Sequence, residues 1–230
     1  MKKIFTTYSL LVIPVIFSVL ALVYHDFLFK AGVTGSCILI VLTLGKTIAR
    51  NNWVIVLAFL FSIAGDWFLS NRHGQTERFI VGIVLFFIAH AWYLWYALLK
   101  GRLHYVFTAL LLAGYLAFFI RVLYPAISDL WLLLSVLAYL LISCLSLGAA
   151  LGIKASPSVK WIYVFGISMI VFSDTIIALR EFVGQEQLGF LILPTYYLAH
   201  ISITLSLMKP LICKKICKHN YPYSRKKQNG

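Results

Sequence analysis

The sequence predicts an all-α fold: a polytopic membrane bundle of about eight transmembrane helices. Three observations lead there. Hydrophobic residues make up 62% of the chain and charged residues only 12%, which is far from the usage of soluble domains. Apolar runs of about twenty residues recur along nearly all of its 230 residues, and each is long enough to cross a hydrocarbon core of about 30 Å. The runs are continuously apolar rather than alternating. That favours helices over a barrel, because a helix satisfies its own backbone hydrogen bonds in lipid.

Taken in order, the first run covers 4–24 behind Lys2 and Lys3. It is longer than a signal-peptide core and lacks a clear small-residue cleavage site, so it reads as a retained first helix. The next runs cover 31–49, 53–70, 79–99 and 104–123, followed by 130–152, 160–180 and 188–209. Pro194, in the last, is the main helix breaker. The connections are too short to hide a soluble domain. The chain therefore divides into one membrane domain, 1–212, and a basic tail, 213–230.

Lysine and arginine set the expected orientation. Fifteen of the twenty fall at one side: Lys2, Lys3, Lys46, Arg50, Lys100, Arg102, Lys154, Lys160 and seven from Lys209 onward. The other side holds Lys30, Arg72, Arg78, Arg121 and Arg180. By the positive-inside rule both termini are cytoplasmic, and a multi-pass protein of a bacterial inner membrane is expected. The net charge of +13 follows from this topology plus the tail, which suits anionic lipid head groups; no nucleic-acid partner is expected. Cys37 and Cys144 read as packing residues within spans. Cys213 and Cys217 fall on the reducing side, where a structural disulfide is not expected.

Seven acidic residues occur. Asp26, Glu77, Asp129, Glu181 and Glu186 fall in the expected outer loops, whereas Asp66 and Asp174 sit inside the third and seventh spans. A carboxylate within a bilayer costs roughly 2.5–3.5 kcal/mol on insertion scales, so it faces the bundle interior and marks function. Helix rise places Asp66 about 6 Å and Asp174 about 9 Å below the outer boundary, in one layer. Their surroundings repeat. "FSIAGDWFLS" (61–70) parallels "VFSDTIIAL" (171–179), and the following inward spans carry His90 and His200, 24 and 26 residues after each acid. Two parallel four-helix halves, 1–103 and 104–212, fit this pattern. The histidines fall about 9–12 Å deeper than the acids by helix rise, which strains joint coordination of a metal; no metal site is expected. Tyr93, Tyr96, Tyr139, Tyr196 and Tyr197, with Trp92 and Trp95, supply packing or interface anchors, and tyrosines that face the acids can bind a polar head group. The sequence lacks a Gly-rich phosphate loop, a G-x-S-x-G elbow and an H-E-x-x-H pair, so serine-hydrolase and zincin chemistry lack their residues.

Four segments in register resemble the lysoplasmalogenase, or YhhN-like, family of membrane proteins. They are Gly65-Asp66; the helix with Phe79, Gly82, Phe86, His90 and Tyr93; Ser173-Asp174; and Thr195-Tyr196-Tyr197. The sequence departs from the family pattern twice, with Lys30-Ala31 where lysine-proline is usual and His200 where a glutamine is expected. The resemblance implies hydrolysis of the vinyl ether bond of lysoplasmalogens to a fatty aldehyde and a glycerophosphocholine or glycerophosphoethanolamine. It implies a lysophospholipid substrate. Bacterial members can act on other lipids, since many bacteria make no plasmalogen.

Such hydrolysis begins with proton transfer to carbon and passes through an oxocarbenium ion. It needs one acid still protonated near neutral pH and one anion to stabilise the cation and orient water. Two carboxylates in a low-dielectric pocket suit that division, as in glycosidases; no metal or organic cofactor is required. Asp66 and Asp174 are thus the expected catalytic pair. Lys30, Gly65, His90, Tyr93, Tyr139, Ser173, Arg180, Tyr196, Tyr197 and His200 are the expected binding or supporting residues, with Lys30 and Arg180 as candidates for the lipid phosphate. A proton-coupled transporter using the same aspartates is the leading alternative, and a sensory bundle without turnover is a third.

Overall fold

A computed structural model describes the backbone of residues 8–44 and 51–220, with side chains over 8–43 and 51–210. Lys46, Arg50, the predicted start of the first helix and the tail beyond 220 lie outside the described residues. Cys213 and Cys217 are described in backbone only.

Eight α-helices follow one another without a strand among the described residues. They are α1 (Val12–Tyr24), α2 (Phe27–Leu44), α3 (Trp53–Ser70), α4 (Thr76–Lys100), α5 (Tyr105–Phe118), α6 (Leu130–Leu151), α7 (Pro157–Val183) and α8 (Ile192–Asn220). Among the described residues, six helical stretches are long and apolar enough to cross a membrane, with mean hydropathy between 1.5 and 2.4. The described parts of α1 and α2 are apolar but shorter. The protein is a polytopic helical membrane bundle.

Local chemistry explains the helix ends, and several differ from the sequence expectation. Asp26 Oδ1 accepts from the Leu28 backbone N–H at 2.7 Å, which starts α2 at Phe27 and brings Lys30 inside its first turn rather than before it. Asp129 caps α6 in the same way, accepting from Leu132 N–H at 2.7 Å. The fifth span is α-helical only to Phe118. A π-turn (Phe119–Leu123) and a 3₁₀ turn (Tyr124–Ala126) carrying Pro125 complete it, because proline removes a backbone donor and cannot continue the helix. Gly184 ends α7 in the left-handed region at φ 74°, a conformation that glycine adopts without strain. Glu181, expected in a loop, therefore belongs to α7. Pro194 lies in the first turn of α8 and breaks nothing; the proline inside that helix is Pro210.

The surface confirms which solvent the bundle meets. Val106, Leu110, Trp131 and Trp161 are each more than half exposed, an arrangement that water would penalise and lipid does not. Inside, buried hydroxyls bond back to their own helices: Ser143 Oγ donates to Tyr139 O at 2.8 Å and Thr204 Oγ1 to His200 O at 2.8 Å. Both of these hydroxyls are thereby satisfied without water.

Small residues set the close helix pairs. A Cβ on Gly82 of α4 would collide with the Leu69 side chain of α3, and one on Gly65 of α3 would press the Phe86 ring at 3.0 Å. The α3–α4 contact is therefore close just where Asp66 sits. Gly166 likewise admits Ile203 of α8 against α7. The two larger apolar clusters among the described residues fill most of the bundle. One is built on Phe59, Tyr93, Tyr163, Ile167 and Ile203, and the other on Phe79, Leu123, Val136 and Leu140. The turns Gly101 and Ile153 pair across the end opposite the α3–α4 loop.

Candidate functional site

A cavity of about 250 Å³ opens at the end of the bundle where α3 and α7 finish and α8 begins. Asp66 and Asp174 both line it, as do Lys30, Ser173, Arg180 and Tyr196. One site thus collects six of the residues that the sequence singles out, from α2, α3, α7 and α8.

The two carboxylates have different company. Asp174 accepts a hydrogen bond from the Tyr139 hydroxyl on Oδ2 at 2.6 Å. His90 Nε2 stands 3.5 Å from the same oxygen, near enough for an ionic contact but without the alignment of a hydrogen bond. The His90 and Tyr139 rings meet edge to face at 5.2 Å. Asp174 also keeps 17% of its side chain accessible, whereas His90 is 1% exposed. The sequence expectation that the histidines lie well below the acids fails at His90. α4 passes α7 so that its middle meets Asp174, and counting rise within each helix does not register such an offset.

Asp66 sits closer to the tyrosines of α8. The Tyr196 hydroxyl, Lys30 and Asp174 all act on it electrostatically, yet its Oδ2 is buried without a hydrogen-bond partner. Ser62, one turn earlier on α3, faces both Tyr93 and Tyr196. The hydroxyls of Tyr93, Tyr196 and Tyr197 are buried and lack a well-formed hydrogen bond among the described residues. A group of polar atoms thus gathers beside Asp66 in an otherwise apolar layer.

His200 does not mirror His90. Its Nδ1 lies 2.9 Å from the carbonyl of Tyr196, one turn back on α8, and its ring packs at 4.9 Å from Phe59 and 4.4 Å from Tyr196. It is fully buried and outside the cavity. Tyr93, Tyr197 and Gly65 also stay off the cavity wall. Gly65 acts through packing, and Ser173 through a hydrogen bond to Ile192 O at 3.0 Å that ties α7 to the start of α8.

The cations at the mouth divide into two kinds. Arg72 forms a two-pronged ion pair with Glu181, at 2.7 and 3.0 Å, and its guanidinium lies 5.1 Å from the centre of the Phe79 ring. Arg78 donates to Asn71 O at 2.6 Å. Lys30 and Arg180 line the cavity with no carboxylate ion pair among the described residues. They are available to an anion. Sequence reasoning missed the Arg72–Glu181 pair, since 109 residues separate its partners; their shared outer level was the only signal.

No three His, Cys, Asp or Glu side chains converge as a metal-holding group among the described residues. The cavity presents two carboxylates, the phenol of Tyr196 and two cations without a carboxylate ion pair among the described residues, and the buried imidazole of His90 stands behind Asp174. The site can bind an anionic group at the mouth and move protons further in.

Comparison with known proteins narrows the reading. None of the curated proteins and none of the solved structures matches the chain. The profile of the YhhN family matches residues 25–207, a stretch that includes every cavity residue named above. By this match over most of its length, the chain belongs to the YhhN family, the family of lysoplasmalogenases.

Proposed function

We propose that the protein is an intramembrane hydrolase that cleaves the vinyl ether bond of a lysoplasmalogen-type lipid, with Asp66 and Asp174 as its acid–base pair. The observation that carries this reading is the convergence of the only two carboxylates deep in the spans on one cavity that also holds two cations without a carboxylate ion pair among the described residues. Family membership supports it.

In the proposed reaction the lipid phosphate rests between Lys30 and Arg180, and the vinyl ether lies deeper, between the carboxyl groups. A carboxylic acid gives its proton to the vinyl carbon distant from oxygen, and the double-bond electrons leave an oxocarbenium ion. The second carboxylate stabilises that cation and takes a proton from the water that adds to it. The hemiacetal then breaks its bond to the glycerol oxygen, which leaves with a proton, and a fatty aldehyde remains. One water is consumed and no redox partner is needed. Hydrogen bonding divides the roles: the phenol of Tyr139 donates to Asp174, which suits an anion, while Asp66 Oδ2 has no such donor and suits the acid.

The test is aldehyde release from a lysoplasmalogen by the purified protein in detergent, beside the Asp66→Asn, Asp174→Asn double variant. Turnover by the wild type and its loss in the folded variant support the reading. A wild type that releases no aldehyde from any lysoplasmalogen defeats it and returns the aspartates to transport or helix association.

A further inference from the structure

Asp174 borders more than the polar cavity. Two smaller cavities, about 60 and 50 Å³, also reach it, and their walls are almost wholly apolar. The first lies between α4, α6 and α7, and shares Leu69, Phe79, Phe86 and Ile177 with the polar cavity as well as Asp174. The second continues from it across Val136, Tyr139 and Ala178, residues common to both, toward Tyr115 and Leu140. No lysine or arginine lines either one, and Asp66 lines neither. The lining therefore changes from cations without a carboxylate ion pair among the described residues, past Asp174, to hydrocarbon-like walls.

A molecule that fits this sequence of surfaces has an anionic head and a single hydrocarbon chain. We infer that the α4–α6–α7 cleft, passing Val136 and Ala178, is the subsite for the hydrocarbon chain of the lipid, and that Asp174 marks the junction between head and chain. The inference deepens the proposed hydrolysis and rests on it for the identity of the lipid. Its physical basis is adjacency. An amphiphile whose phosphate meets Lys30 and Arg180 must place its chain somewhere apolar, and these two apolar cavities share walls with the polar one at Asp174. The alternative, a chain directed past Asp66, meets the packed rings of Tyr196 and Tyr197, both less than 7% exposed. Ala178 is one turn beyond Asp174 on the same face of α7, so a larger side chain there narrows the passage from the first apolar cavity to the second.

The experiment compares the wild type with Ala178→Phe and the milder Ala178→Leu on lysoplasmalogens of medium and long alkenyl chain. Binding is followed in parallel with the matching lysophospholipids whose saturated ether chain is not cleaved. The expected result is a shift in selectivity. In Ala178→Phe, kcat/KM for the long chain falls roughly tenfold or more relative to the medium chain, Ala178→Leu lies between, and binding of the uncleavable long-chain ether weakens in the same order. Equal effects on both chain lengths, or no effect, overturn the subsite. If the wild type cleaves nothing, the hydrolase reading fails separately, and the ether-binding series alone decides the subsite. Should Ala178→Phe fail to fold, Ala178→Leu and its binding shift decide.

Discussion

The neighbourhoods of Asp66 and Asp174 look alike along the chain and differ in space. Each acid sits on a helix with glycine or serine just before it, and each is followed about two dozen residues later by a histidine. Yet the histidine that approaches an acid crosses from one half of the chain to the other: His90, which follows Asp66, lies 3.5 Å from Asp174. His200, which follows Asp174, bonds its own helix and touches neither acid. Asp174 gains a phenol donor and an apolar cleft, whereas Asp66 gains a lysine and a buried group of tyrosines. The comparison teaches that similar sequence surroundings do not give two acids similar partners, and that packing makes them unequal. For hydrolysis this asymmetry is useful, since one group must hold a proton while the other remains an anion.

The largest expected effect tests whether the two acids act as one unit. Asp66→Asn and Asp174→Asn should each lower kcat by about 10²–10⁴-fold, with the double variant little worse than the weaker single. Losses that multiply in the double variant would mean two independent groups, and near-normal turnover in either single variant would make that residue structural.

A smaller effect sharpens the difference between the acids. Tyr139→Phe removes the donor to Asp174 and leaves Asp66 untouched. Hydrogen bonds to charged groups contribute about 1.5–3 kcal/mol, so kcat should fall roughly 10–100-fold with KM little changed. An unchanged kcat would show that the 2.6 Å contact serves packing alone.

Lys30 belongs to the Asp66 side of the cavity. Lys30→Met removes a charge that meets the phosphate equally in the ground and transition states, so KM should rise by roughly tenfold while kcat holds. A loss confined to kcat would assign Lys30 to Asp66 instead of the lipid, and no loss would transfer the phosphate to Arg180.

The smallest effect concerns the mouth. The Arg72–Glu181 pair is about one-third exposed on its arginine side, so screening limits its worth to about 0–1 kcal/mol. Arg72→Met should lower the Tm of the detergent-solubilised protein by no more than a few degrees. A fall beyond that would make the pair a structural clamp between the end of α3 and α7.

Much of the fold was legible beforehand. All eight helices coincide with apolar runs, because hydropathy is carried by each residue and sums along a segment whatever its neighbours do. Asp66 and Asp174 stood out for the same reason: a carboxylate among apolar residues is conspicuous before any folding is considered. The ends of helices were less legible. Asp26 moved the start of α2 by four residues through one capping hydrogen bond, and a cap depends on local geometry that composition does not carry.

By itself, then, the sequence determined a helical membrane bundle, the two acids, the family and the cations available at one end. Only the tertiary structure decided that Tyr139 and His90 attend Asp174, that Arg72 is taken by Glu181 while Lys30 and Arg180 have no carboxylate ion pair among the described residues, and that the two small apolar cavities reach Asp174 and not Asp66. The physical reason is that each of these depends on how far a helix is rotated about its own axis and which helix lies beside it. Close packing at positions such as Gly65, Gly82 and Gly166 sets those angles through contacts between segments far apart in the chain.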